Sequence, residues 1–258
     1  MTDPSPFDKR CLDLLDASPK RQSRHCLRSA LHHLDCATRL RGIDNAMAAF
    51  RGLTAEEEAA SGFMHCLKER GYENAQRLKP RDHVHKNAIT PFLDVLGLFF
   101  HETIRGQLAD EPVLRLDGEG AETKLLIALP MLVDGETKLV QPIPPFSFSV
   151  TSASRPLSYR RQIDEFVRNR GAKSISDHLR AQANLRNELL YAGPNGYPSD
   201  VDLPDEFFDT RRVRVMALIR GYLLVQPYAE KLPFVQDALN AFLAMLGALP
   251  EHDLHPEL

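Results

Sequence analysis

A chain of 258 residues is long enough to bury a sizeable core as one elaborated domain or two small ones. Its residues are 43% hydrophobic and 26% charged, and its net charge of −3 argues against a protein that coats nucleic acid nonspecifically. No apolar run long enough to cross a bilayer occurs, and the N-terminus has neither a basic start nor an apolar stretch. We therefore expect a cytoplasmic protein that neither enters a membrane nor is secreted.

The cysteines and histidines do not form a recognisable metal or disulfide motif. The four cysteines lack Cys-x-x-Cys spacing, so we expect free thiols in a reducing compartment. His83 and His85 could present two imidazoles on one side of an extended segment, but no carboxylate stands at a recognisable ligand spacing from them. We therefore interpret this pair as part of a polar loop and predict neither a metal nor a cofactor.

The N-terminal part of the chain changes from proline-containing to helical sequence. Residues 1–20 contain three prolines and little apolar periodicity, which predicts a loose leader. Apolar residues then recur at three- and four-residue spacing, which predicts a helix. Thr54 and Glu57 have the spacing of a capping box, so a further helix is expected to begin there and to stop at Gly71. The carboxylates of residues 56–58 would then favour the positive end of that helix's dipole.

The central and C-terminal patterns predict more helices around one β-insertion. Proline in the first turn costs no hydrogen bond, so Thr90-Pro91 predicts the start of an apolar helix that reaches about residue 108. Residues 112–151 instead show short alternating runs with Asp134-Gly135 between two of them, which predicts a small antiparallel β-insertion. Helical spacing then returns and predicts helices near 157–170, 174–191, 205–226 and 231–247.

These elements together predict a mainly α fold. We expect a multi-helix bundle of six or seven helices with a small antiparallel β-hairpin insertion, forming a single domain over residues 21–258. Strands should be confined to residues 112–151, because only there does period-two patterning replace the helical one.

A basic segment lies in the second half of the chain. Between Arg155 and Leu190 there are eight Arg or Lys residues against four Asp or Glu residues. Together with the arginines of residues 211–220, this segment could form a basic face that binds phosphate. The alternative is an ordinary solvated helix surface. The candidate binding residues of this region are His178, Arg180, Arg211 and Arg212.

An arginine–asparagine pair stands near the end of the helix predicted over 174–191. Arg186 and Asn187 are followed by Tyr191, and a glycine–proline pair then breaks the helix. At about 100° per residue, Asn187 and Tyr191 share a face, whereas Arg186 and Tyr191 lie about 140° apart and converge only if the helix loosens. An arginine at such an end can hold a phosphate through two parallel hydrogen bonds. The alternative is that an exposed arginine, a capping asparagine and a packed tyrosine simply finish a helix.

The sequence LRNELLYAG of residues 185–193 resembles the motif of the HEPN superfamily. That superfamily consists of helical bundles and includes many RNA-cleaving proteins of bacterial defence and toxin systems. Its motif is an arginine, often followed by asparagine, then four to six arbitrary residues and a histidine at the end of a helix; here Tyr191 stands where the histidine is expected. Residues 45–71, with their acidic cluster, also resemble the early helices of the superfamily's abortive-infection branch.

The resemblance implies a protein that binds RNA or a nucleotide as a homodimer, with a partner protein such as an antitoxin, and that cleaves RNA without a metal if it is a ribonuclease. In the family, the arginine and histidine steer and activate the ribose 2′-hydroxyl for attack on the adjacent phosphate. The resemblance assigns phosphate contact to Arg186, orientation of the site to Asn187 and the histidine's place to Tyr191. A phenol with a pKa near 10 is a poor base at pH 7, so either another group serves as the base, with His178 the nearest candidate, or catalysis is lost. A non-catalytic helical interaction module is the alternative function.

Overall fold

The computed structural model describes most of the chain. It covers residues 4–103, 108–148, 151–152, 155–156, 159–169, 177, 179, 188–189, 191 and 203–247. Over these residues the chain is a helical bundle with a small antiparallel sheet, so the predicted fold class is confirmed. None of the described helices is long and apolar enough to cross a membrane.

In chain order, the described part of the protein has four helices, a strand region and three further helices. The helices are α1 Pro6–Ala17, α2 Gln22–Leu40, α3 Asn45–Glu69, α4 His83–Thr103, α5 Arg160–Asn169, α6 Asp205–Val225 and α7 Pro233–Gly247. The strands are β1 Val113–Asp117, β2 Lys124–Val133, β3 Glu136–Val140, β4 Thr151–Ser152 and β5 Arg155–Pro156. The helices predicted near 157–170, 205–226 and 231–247 correspond to α5, α6 and α7. Within the helix predicted over 174–191, the four described residues that precede Tyr191 are helical: Asp177, Leu179, Glu188 and Leu189.

Helix α3 is the centre of the bundle, with α2 and α6 packed along it. Its sequence is rich in small residues, which lets these neighbours approach closely. A Cβ atom on Gly62 would lie 2.8 Å from Cγ of Leu27 and 2.9 Å from the carbonyl oxygen of Ser23, both in α2. Because backbone cannot move aside cheaply, a larger side chain at this position would force α2 away from α3.

The predicted β-insertion is confirmed as a three-stranded antiparallel sheet in the order β1-β2-β3. Asp134 and Gly135 have φ angles of 54° and 79°, the positive values that a two-residue hairpin turn requires, and Val133 pairs with Glu136 across them. The strands extend slightly beyond the predicted 112–151 boundary, because β4 and β5 form a second small antiparallel pair that reaches Pro156.

The prediction of a loose leader over residues 1–20 is wrong, because α1 lies within it. The Ser5 hydroxyl accepts a hydrogen bond from the Asp8 amide at 3.1 Å, and Pro6 occupies the first turn, where a proline costs no hydrogen bond. Cys11 and Leu15 are fully buried in the main core. The prolines that suggested an irregular leader therefore start a helix, and its short apolar face is stabilised by packing.

The prediction that a new helix starts with a capping box at Thr54 is also wrong. Helix α3 begins at Asn45, where the Asp44 carboxylate accepts from the Met47 amide at 2.9 Å, and it continues without a break to Glu69. The Thr54 hydroxyl donates to the carbonyl oxygen of Phe50 at 2.8 Å, which is a bond made inside a helix. Glycine at residue 71 follows the helix with a φ of 70°, as the predicted stop requires.

Helix α4 begins earlier than the Thr90-Pro91 pair predicts. The Asp82 carboxylate accepts hydrogen bonds from the amides of Val84 at 2.9 Å and His85 at 3.2 Å, so this residue caps the helix and Pro91 falls inside it. His83 and His85 accordingly lie in the first turn of α4, not in the extended polar loop that we expected.

Candidate functional site

The acidic run Glu56–Glu58 lies in the middle of α3, not in a first turn. The Glu56 and Glu57 side chains are only 14% and 6% exposed. Successive residues of a helix point about 100° apart, and these two carboxylates contact different neighbours, α6 and the start of α4. A buried carboxylate needs a counter-charge, and each of the two has one.

Glu56 is held by two arginines of α6. One carboxylate oxygen contacts Arg211 Nη1, and the other lies 3.2 Å from Arg214 Nη1. The Arg211 guanidinium also lies over the Phe207 ring, 4.9 Å from its centroid. One carboxylate faces two guanidiniums, so this cluster, which we call the Glu56 cluster, carries one surplus positive charge.

The electrostatics of the Glu56 cluster favour the ionised carboxylate. Burial alone would raise the pKa of Glu56, but the charges of Arg211 and then Arg214 outweigh it, so the pKa of Glu56 is lowered. The cluster is therefore charged at neutral pH. Within the described part of the chain, the Arg211 Nε atom is buried and has no hydrogen-bond partner, so this guanidinium keeps an unused donor.

The structure separates two arginines that the sequence grouped as one binding face. Arg211 is buried beside Glu56, so it does not belong to an exposed basic surface. The charge of Arg212 acts instead on Asp8 of α1. There, burial raises the pKa of Asp8, but hydrogen bonds from Arg220 and Ser5 and the charges of Arg220 and Arg212 give a net lowering. Ion pairs with Glu56 and Asp8 thus neutralise much of the expected basic face on α6.

The end of the Arg-Asn motif helix packs on α3 next to the Glu56 cluster. Leu189 is buried in a small apolar cluster with Ala49 and Leu53 of α3, and Phe207 of α6 packs against the same cluster. Phe207 also contacts the Arg211 guanidinium, so one aromatic ring joins the two groups. The shared α3–α6 surface near Phe207 is therefore the place to which the motif segment is anchored.

The residues of the motif itself are described only in part. Tyr191 is 65% exposed, so it is not the packed tyrosine of the purely structural interpretation. Four of the predicted site residues lie outside the described part of the chain. They are Arg186, Asn187, His178 and Arg180.

A second buried cluster lies on another side of α3. Lys86 Nζ donates to a Glu57 carboxylate oxygen at 2.7 Å, and His83 Nδ1 lies 3.1 Å from both carboxylate oxygens. Burial alone would raise the pKa of Glu57, but the hydrogen bond from His83 and the charge of Lys86 lower it. Lys86 is itself buried, which is rare for lysine without a paired charge. This pair fixes the start of α4 against α3.

Sequence reasoning missed both carboxylate clusters, although a signal was available. The run Ala55 to Gly62 surrounds the three glutamates with alanine, serine and glycine, and such small residues mark close helix packing. Charged residues within a closely packed helix are expected to be buried and paired. In the described residues, no three histidine, cysteine, aspartate or glutamate side chains gather in a group that could hold a metal ion.

Comparisons of the whole chain with protein-family models, with curated proteins and with solved structures find no match.

Proposed function

We propose that the chain is a HEPN-like protein that binds RNA or a nucleotide through phosphate contacts at the α3–α6 surface. The observation that carries this proposal is the burial of Leu189 against α3, beside Phe207 and the Glu56 cluster. That contact anchors the end of the motif helix beside the Glu56 cluster, in which Glu56 holds two arginines in position. Arg186 is the proposed phosphate ligand, Asn187 orients the site, and Tyr191 takes the place of the family's histidine.

The spacing of residues along the predicted helix supports the role proposed for Arg186. Residues three apart in a helix are neighbours on its surface. In the helix predicted over 174–191, residue 186 is three positions before Leu189, the residue that packs on α3. The proposed contact therefore needs no rearrangement of the buried Leu189.

The charge of the Glu56 cluster supports the choice of ligand. Two guanidiniums share one carboxylate, and the Arg214 side chain is 23% exposed, so an anion can reach it. Glu56 holds both arginines before any ligand arrives, which reduces the side-chain entropy lost on binding. Arginine also suits phosphate because its planar donors match two phosphate oxygens.

The HEPN-like proposal rests on binding, because cleavage requires a further group. Metal-independent attack by the ribose 2′-hydroxyl needs a group that accepts its proton near neutral pH. A phenol does this poorly because it ordinarily ionises near pH 10. Tyr191 is proposed to donate a hydrogen bond to phosphate, and an endoribonuclease activity would require another base, for which His178 is the sequence candidate.

Affinity for a short single-stranded RNA is expected to fall steeply between about 50 and 200 mM salt, because phosphate contacts release counterions. Arg186→Ala should weaken binding at low salt by about tenfold or more and should reduce the dependence on salt, since a charge-assisted contact is lost. Fluorescence anisotropy with a labelled oligonucleotide measures both quantities.

Arg39→Ala is the matched control for this measurement. It removes the same charge from a side chain of α2 that is 76% exposed and paired with Asp35. Its effect on RNA affinity should be small. Equal affinities of the Arg186→Ala and Arg39→Ala variants, or no binding by the unmodified protein at low salt, would contradict the proposed function.

A homodimer is the proposed assembly, because the resemblance implies two arginine motifs that face each other and the chain contains one such motif. Sedimentation at high protein concentration should give twice the mass of the chain. Two opposed guanidiniums repel, so an added phosphate or RNA is expected to strengthen the dimer. A monomer at every concentration, with and without RNA, would rule this assembly out.

A non-catalytic helical interaction module is the second candidate function, and the β-insertion favours it. Large apolar side chains are exposed on and just after the three-stranded sheet, which is typical of a protein-binding surface. They are Val113, Leu132, Leu139, Val140 and Ile143. The RNA-binding experiment distinguishes the two candidates, since an interaction module has no reason to bind RNA with a steep salt dependence.

A further inference from the structure

A partly open cavity of about 140 Å³ lies between the helices of the bundle, away from the α3–α6 surface near Phe207. Gly221 of α6 is in its wall and follows Arg211 by ten residues, which is about 15 Å along the helix. Its other described walls are aromatic and aliphatic side chains of α3, α4, α6 and α7, together with Leu78 and with Phe146 from the segment after β3.

A larger groove of about 580 Å³ lies beside this cavity and is lined in part by the segment before β1. Phe146 lines both spaces, so they are adjacent at this residue. The two spaces also follow the same helix in sequence: Ile89 to Leu96 of α4 line the cavity, and Gly97 to His101 line the groove. The distance from the first to the last of these residues is about 18 Å along the helix axis. Cavity and groove therefore follow one another along α4 and adjoin at Phe146.

The size and walls of the cavity indicate what it can hold. A dry apolar cavity of about 150 Å³ takes up benzene, so a space of similar volume accepts a hydrocarbon group of about six carbon atoms. Water is a poor occupant, because the walls offer it almost no hydrogen-bond partner. The occupant should therefore be hydrocarbon.

The residues that line the groove indicate the charge of the ligand's polar end. Asp110 and Glu111 are exposed in its wall, and the described lining residues include no lysine or arginine. Two carboxylates near an apolar channel attract a cationic group and repel an anionic one. The polar end of a ligand whose tail fills the cavity should therefore carry a positive charge.

We propose that cavity and groove form one binding site for a small amphipathic amine, with the hydrocarbon chain in the cavity, the ammonium group at Asp110 and Glu111, and Phe146 in contact with the chain where the two spaces meet. This site is independent of the proposed phosphate site.

Calorimetry with three eight-carbon probes, octylamine, octanol and octanoate, tests the proposal on the full chain at concentrations below micelle formation. Octylamine is expected to bind once per chain, about tenfold or more tighter than octanoate, with octanol between them. Bound octylamine should also raise the unfolding temperature, since a ligand that binds only the folded state stabilises it.

Ala238→Leu places a larger side chain in the cavity and should weaken octylamine binding about tenfold or more. Ala244→Leu is the matched control, because it makes the same change at an exposed position of the same helix and should leave the affinity unchanged. Leu93→Phe fills the cavity from α4 and serves if Ala238→Leu does not fold. Asp110→Asn combined with Glu111→Gln should bring octylamine to the affinity of octanol.

Three results would overturn the proposal. They are the absence of saturable octylamine binding to the unmodified protein, octanoate binding as tight as that of octylamine, and octylamine binding that neither cavity-filling variant weakens.

Discussion

Replacing Glu57 with alanine is expected to lower the free energy of unfolding by about 3–5 kcal/mol, because it leaves the buried Lys86 ammonium without its carboxylate. The pair spans the junction of α3 and α4, so its loss also loosens the start of α4, where His83 contacts the same carboxylate. For a chain of this size the unfolding temperature should fall by on the order of 10 °C. Chemical and thermal unfolding followed by circular dichroism measure the two quantities.

Glu58→Ala is the control for this prediction. Glu58 is adjacent in α3 and forms no ion pair with any described residue, so its removal should change the free energy of unfolding by about 0.5 kcal/mol or less. Equal destabilisation by the Glu57 and Glu58 variants would show that the buried pair has no special role.

The pH dependence of stability gives a second readout of the same pair. The pKa of Glu57 is lowered in the folded protein, so its contribution is complete above the ordinary glutamate value of about 4.3 and is lost as the pH falls through the lower folded value. The unmodified protein should therefore lose stability in acid more steeply than Glu57→Gln, which has no carboxyl group to protonate at this position. Identical acid profiles for the two proteins would contradict this assignment.

The features that the sequence predicts correctly are those determined by a few neighbouring residues. Asp134-Gly135 specifies a hairpin turn through the φ angles that these two residues tolerate, and Gly71 ends α3 for the same reason. The apolar residues of α7 recur at helical spacing over most of its length. In these cases, the residues of the turn or the spacing of the apolar residues is enough to predict the element.

The wrong predictions concern positions where distant contacts outweigh a local signal. Thr54 and Glu57 have capping-box spacing, but the helix continues through them because both faces of α3 are packed and the carboxylate is paired with Lys86 from another helix. The ion pair of Glu56 with Arg211 joins residues 155 apart in sequence. No pattern within a short stretch of sequence shows which distant residues pair. A carboxylate in a run of small residues therefore predicts a buried side chain, but not the residue with which it forms an ion pair.

Tyr191→His is expected to raise RNA cleavage by about 10²–10⁴-fold if the protein binds RNA as proposed and lacks only a proton acceptor. Tyr191 is 65% exposed, so the substitution should change the free energy of unfolding by about 0.5 kcal/mol or less. A histidine ordinarily ionises near pH 6.5, and the neutral imidazole accepts the proton of the 2′-hydroxyl. The cleavage rate of the variant should therefore rise with pH up to about 7 and then level off. Gel analysis of an end-labelled RNA, in the presence of a chelator, measures the rate without metal-dependent contaminants.

The double variant Arg186→Ala, Tyr191→His is the control, because it keeps the new imidazole and removes the proposed phosphate ligand. It should lose both the gain in cleavage and the tight binding, whereas Tyr191→Phe should keep most of the binding and show no gain. If Tyr191→His binds RNA as the unmodified protein does but cleaves no faster, the arginine site serves binding alone and the HEPN-like active centre is absent. If cleavage rises equally in the double variant, the imidazole acts without Arg186, and the phosphate role proposed for this arginine is wrong.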